Sequence, residues 1–76
     1  MDKELITPFY EKNVDVAIGV PHAVTAGKPF FYYGRIVKMT DTYLILRFHK
    51  GIKQILLEDI VDIHVDEQSH EWEGRR

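Results

Sequence analysis

The chain has 76 residues, 45% of them apolar and 12% aromatic, with a formal net charge of −2 and a sequence pI near 6.0. This is enough for one domain, near the lower size at which a core sustains a fold without staples, and the lack of cysteine excludes disulfides and thiolate–metal sites. Mild acidity does not announce a nucleic-acid binder; the longest uncharged stretch, Val16 to Gly27, is broken by Gly19 and Pro21, so neither a membrane span nor a signal peptide is expected and the expected location is cytoplasmic.

Residues 1–13 form an N-terminal segment. Thr7-Pro8 pairs an N-cap residue with the proline best tolerated at the first helical position, which predicts a short helical turn from Pro8 to Lys12 with Leu5, Ile6 and Phe9 as its apolar contacts. Residues 14–65 then carry strand signals. Val14, Val16, Ile18 and Val20 alternate with Asp15, Ala17 and Gly19, the period of a strand buried on one face. Pro21 to Pro29 is a loop. Phe30 to Met39 is a second strand with Gly34 where a small sheet must bend, Thr40-Asp41-Thr42 a turn, and Tyr43 to Phe48 a third strand. After a tight turn at His49-Lys50-Gly51, Ile52 to Leu57 and Ile60 to Val65 make the fourth and fifth strands around a corner at Glu58-Asp59. Residues 66–76 are a polar tail apart from Trp72. Short apolar runs at this spacing predict a mainly β domain: a short N-terminal helix followed by a five-stranded, strongly bent SH3-like barrel. Its expected core is Val16, Ile18, Ile36, Leu44, Leu46, Ile55, Ile60 and Ile63.

The near-neutral total conceals an asymmetry. Lys28 to Lys53 carries six bases (Lys28, Arg35, Lys38, Arg47, Lys50, Lys53) against Asp41, a balance of +5, whereas Gln54 to Glu73 carries seven acids and no Lys or Arg. Such a division arises when solvent faces of different strands carry different signs, or when the middle strands build a basic surface for a polyanion.

The elements resemble the Sm-like fold, in particular its Hfq branch, over roughly residues 8 to 65. The resemblance rests on Glu11-Lys12-Asn13-Val14-Asp15-Val16-Ala17-Ile18 leading from helix into strand, on Gly34-Arg35-Ile36 in the bent second strand, on Asp41-Thr42-Tyr43-Leu44-Ile45-Leu46 after the turn, and on the apolar hairpin Ile55 to Ile63. It implies a homo-oligomeric ring that binds single-stranded RNA, with no cofactor. Leu57-Glu58 stands where Hfq has a Lys-His pair, and an acid beside a phosphate path lowers affinity. The Gly34 to Asp41 interval is one residue longer than in the Hfq pattern.

Candidate RNA contacts are Tyr32, Tyr33, Arg35 and Lys38 on the second strand, Asp41 in the turn and Tyr43 just after it, because unpaired bases are held by stacked rings beside cations. The aromatic run Phe30-Phe31-Tyr32-Tyr33 also fits core packing, with alternate rings filling the barrel and a subunit interface. His22, His49, His64 and His70 show no metal-ligand spacing, and Glu58, Asp59 and Asp62 read as a solvated corner, so neither a metal nor enzymatic activity is expected. The alternative function is an SH3-like protein-interaction module taking an extended or proline-rich peptide, or a scaffold whose role is assembly alone. For the ring, the expected edges are Lys53 to Leu57 and Tyr43 to Phe48.

Overall fold

A computed structural model describes residues 1–21 and 28–67. Most of the 21–29 loop, most of the polar tail, His22, His70 and Trp72 lie outside the described residues. Helix α1 (Lys3–Lys12) leads into β1 (Asp15–Val20), β2 (Phe30–Met39), β3 (Tyr43–Phe48), β4 (Gly51–Leu56), a single 3₁₀ turn at Leu57–Asp59 and β5 (Asp62–Val65). The five strands form one antiparallel sheet in the order β4-β3-β2-β1-β5, which does not close into the expected barrel because β4 and β5 do not pair. Among the described residues the edges are therefore β4 and β5. Tyr43–Phe48, expected at an edge, lies between β2 and β4, because the His49-Lys50-Gly51 turn folds β4 back onto it and Gly51 supplies the positive φ (126°) that the turn needs.

The helix begins five residues before the expected Thr7 cap, with Asp2 at the N-cap position and Pro8 inside. A proline there forfeits one backbone hydrogen bond. Burial decides the outcome: Ile6 is fully buried, and Phe9 and Met1 pack on the core, so the first turn must be helical for Ile6 to reach the sheet. Thr7 lies within the helix and donates its hydroxyl to the Lys3 carbonyl (2.9 Å). Leu5, expected among the apolar contacts, is 60% exposed. The helix ends at Asn13, whose N–H donates to the Tyr10 carbonyl and whose left-handed φ of 55° turns the following chain out of the helix.

Register assigns every strand residue to one of two faces. On the core face Val16, Ile18, Ile36, Leu44, Leu46 and Ile55 are buried together with Ile60, as the period-2 pattern predicts. Ile63 packs against this cluster but is only half-buried, since it sits on the four-residue edge strand β5. Ile6 and Leu57 complete the core; the helix and the 3₁₀ turn deliver them, and strand periodicity cannot find either. A bulge at Val37 separates the pair Ile36–Leu46 from Lys38–Ile45. That extra residue lengthens the interval between Gly34 and Asp41 and turns Lys38 onto the opposite face from Ile36.

Gly34 is required by close backbone approach. A Cβ there would fall inside the Arg47 carbonyl and lie 3.1 Å from the Phe48 Cα, so β2 and β3 can cross at this point only without a side chain.

Candidate nucleic-acid interface

The run Phe30-Phe31-Tyr32-Tyr33 is divided by the pleat. Phe30 and Tyr32 take the core face at one end of the sheet, where Tyr32 meets Phe30 edge-on (4.9 Å between centroids) and Phe48 edge-on (5.6 Å), with the Lys53 ammonium 5.2 Å above its ring. Phe31 and Tyr33 take the opposite, open face. Their centroids lie 6.4 Å apart with planes inclined by 29°, and Phe31 lies so close to β1 that a Cβ on Gly19 would come within 2.9 Å of its ring. His64, placed opposite Ala17 by the β1–β5 register, meets Phe31 edge-on at 5.8 Å. These three rings shield Ala17 and Gly19, which explains why β1 is buried on both faces although its sequence predicts one.

The cations of β2 and β3 share the open face with these rings. Arg35 stands directly opposite Arg47, and Lys38 opposite Ile45. Arg35 is held by Asp15, the guanidinium Nε and Nη2 each 3.1 Å from one carboxylate oxygen, which fixes its orientation beside Tyr33. Arg47 and Lys38 are exposed and make no ion pair among the described residues. Tyr43, half-buried, pairs with Leu56 on the same face. Thus Tyr33, Arg35, Lys38 and Tyr43 share one surface, whereas Tyr32 faces the other way.

Asp41 occupies the turn but does not shape it. Thr40 does: its hydroxyl donates to the Tyr43 carbonyl (3.0 Å) and accepts the Thr42 and Tyr43 N–H groups. The exposed Asp41 carboxylate instead accepts from the Lys3 ammonium at 2.6 Å, and this hydrogen bond, reinforced by the charge of Lys3, holds its carboxyl below the usual carboxylate range. The pair links the first turn of α1 to the β2–β3 turn.

Three residues that belong to this face were not among the sequence candidates. Phe31 and Arg47 follow from the period-2 spacing with Tyr33 and from the turn geometry that sets Arg47 beside Arg35. His64 depends on the long-range pairing of β5 with β1, for which the local sequence carries no signal.

A second feature opens at the end of the sheet occupied by Tyr32. Val20, Pro21, Tyr32, Lys53, Leu56 and Asp59 border a cleft of about 430 Å³ alongside the β4 edge. Among the described residues no group of three His, Asp or Glu side chains is placed to hold a metal ion, and no helix is long and apolar enough to cross a membrane. Compared with protein-family models, curated proteins and solved structures, the chain finds no match in any of the three.

Proposed function

We propose that the protein is an Sm-like domain, its five-stranded sheet left open at β4 and β5, that assembles into a homo-oligomeric ring and binds single-stranded RNA on the open face of that sheet. The observation that carries this reading is the meeting of half-exposed rings (Phe31, Tyr33, Tyr43) with three cations (Arg35, Lys38, Arg47) on one face. Half-exposed rings set beside cations are what unpaired bases stack on, and the cations on β2 and β3 offer a path for phosphates. Duplex RNA binds poorly under this reading, because its bases are already stacked. The two free edges, β4 and β5, support self-association, since a neighbouring copy satisfies the backbone groups that each edge presents.

Electrostatics sets the expected strength. Asp15 neutralises Arg35, and Glu58 is exposed beside the buried Leu57 in the position that the resemblance reserves for a base. Affinity for short U- or A-rich oligonucleotides is therefore weaker than that of a typical Hfq and falls with salt. Fluorescence anisotropy with labelled single-stranded oligonucleotides at low salt tests it. Binding that Tyr33→Ala and Arg47→Ala both weaken is the expected result; no binding, or binding that neither change affects, refutes it.

The cleft beside Tyr32 and the β4 edge favours a second reading, in which an extended peptide adds to β4 and seats a side chain on Tyr32. Tyr32→Ala separates the two: it abolishes peptide binding and spares RNA binding on the opposite face.

A further inference from the structure

Stacking and fixed charge on the open face leave His64 without a role, although the fold carries it into the middle of that face. Along β5, Asp62 and His64 stand opposite Gly19 and Ala17 of β1, and the N–H of the buried Asp66 reaches the Asp15 carbonyl (2.9 Å). Gly19 and Ala17 raise nothing larger than a methyl group here, so the imidazole spans β1 and meets the edge of the Phe31 ring on β2 at 5.8 Å. The His64 side chain is still 56% exposed, with Nδ1 3.4 Å from the Asp62 carboxylate, and its Nε2 makes no hydrogen bond among the described residues. The charged groups facing it are Asp62 and Asp66 along its own strand, Asp15 on β1 and Arg35 on β2, and the last two pair with each other. This margin of the proposed RNA face is therefore acidic except for what His64 can add.

We propose that His64 makes RNA binding on this face depend on pH: protonated, it donates from Nε2 to a phosphate oxygen of a strand whose base lies against Phe31 and Tyr33; neutral, it withdraws that contact. This rests on the RNA reading above and specifies its regulation. The Asp62 carboxylate beside Nδ1 keeps the proton of the neutral ring on that nitrogen, so Nε2 then presents a lone pair, and a phosphate, which offers only acceptors, gains nothing from it. One added proton turns Nε2 into a donor and makes the β5 margin more positive by one charge. Histidine changes charge between about pH 5 and 8, where Asp, Lys, Arg and the phosphodiester do not, so His64 transmits pH to this face while Arg35, Lys38 and Arg47 supply a constant attraction. The other described histidine, His49, lies in the β3–β4 turn against Phe48 (5.5 Å), away from the Phe31 ring. Opposite unit charges about 4 Å apart in water are worth about fivefold in affinity before screening, so the expected gain on protonation is roughly threefold at low salt.

Anisotropy titrations of a labelled uridine or adenosine oligonucleotide at about 0.05 M salt, from about pH 8 to about pH 5.5, test the proposal on the full chain and two variants. His64→Phe keeps an aromatic edge beside Phe31 without a titrating nitrogen, and His64→Arg keeps a cation at every pH; far-UV circular dichroism establishes that both fold. The wild type is expected to gain roughly threefold in affinity on acidification, His64→Phe to lose most of that gain and stay near the wild-type value at high pH, and His64→Arg to bind at high pH about as tightly as the wild type does at low pH. Linkage supplies a second readout: if RNA prefers the protonated ring, saturating oligonucleotide must move the midpoint of the His64 imidazole resonance upward in an NMR pH series. A pH gain that His64→Phe retains in full, or a His64 midpoint that oligonucleotide leaves in place, overturns the role of His64 and leaves the RNA reading standing. Absence of binding at every pH overturns both.

Discussion

Replacing Gly34 by Ala probes the point where β2 crosses β3 between two residues of the proposed RNA face, Tyr33 and Arg35. The added Cβ meets the Arg47 carbonyl and the Phe48 Cα, which are backbone atoms and cannot swing aside as a side chain would. Relief requires the strands to separate, breaking ladder hydrogen bonds around Arg35–Arg47 and loosening the packing of Leu46 and Ile36 beneath them. Overpacking of this kind costs about 3 kcal/mol, against a total stability of about 4–11 kcal/mol for a chain of this length. With an m-value near 1 kcal/mol/M for so short a chain, the urea midpoint should fall by about 3 M. Gly19→Ala is the internal control. Its Cβ meets only the Phe31 ring, which can shift by a few tenths of an ångström, and the lower backbone entropy of alanine in a strand offsets roughly 0.5–1 kcal/mol of that cost. Urea unfolding followed by far-UV circular dichroism, at one fixed protomer concentration because assembly adds to apparent stability, compares the two. An unchanged midpoint for Gly34→Ala, or a larger loss for Gly19→Ala, would refute the account of the crossing.

Ile18→Ala removes a fully buried side chain from the middle of β1 and should cost roughly 2–5 kcal/mol, visible as a lower melting temperature. Tyr43→Ala should lose about 1–3 kcal/mol of RNA binding by anisotropy without altering the salt slope, because it removes stacking and no charge. Glu58→Lys should strengthen RNA binding and steepen its dependence on salt, since it replaces an exposed acid with a phosphate contact. Lys3→Ala should return the Asp41 carboxyl towards its ordinary titration range in an NMR pH series. The sign follows from its depressed folded-state value: the small stabilisation from the Lys3 pair is present above the unfolded carboxyl range, is lost as pH falls through the folded value, and disappears in the variant.

Much of the fold is legible in the sequence because it rests on local signals. Period-2 alternation places β1 and seven of the eight expected core residues in the buried set, and the Gly51 turn and the Gly34 crossing are each marked by a glycine that the backbone requires. Errors arise where tertiary packing outweighs local chemistry. Thr7-Pro8 reads as a helix start, yet burial of Ile6 pulls the preceding residues into the helix. Asp41 marks the turn in the sequence, yet Thr40 performs the turn's hydrogen bonding and Asp41 reaches across to Lys3. The candidate site is half legible for the same reason: alternation fixes that Tyr33 and Arg35 share a face and that Tyr32 opposes them, but which face is covered by the helix depends on where Ile6 docks. His64 joins the aromatic cluster only through the return of β5 to β1.

The central claim, a ring that holds single-stranded RNA, is tested most directly by native mass spectrometry of the full chain mixed with a short uridine or adenosine oligonucleotide at low salt. The account predicts a closed oligomer of defined mass that carries the oligonucleotide. A mass equal to one chain at micromolar concentration, or an oligomer that carries no RNA, would contradict it.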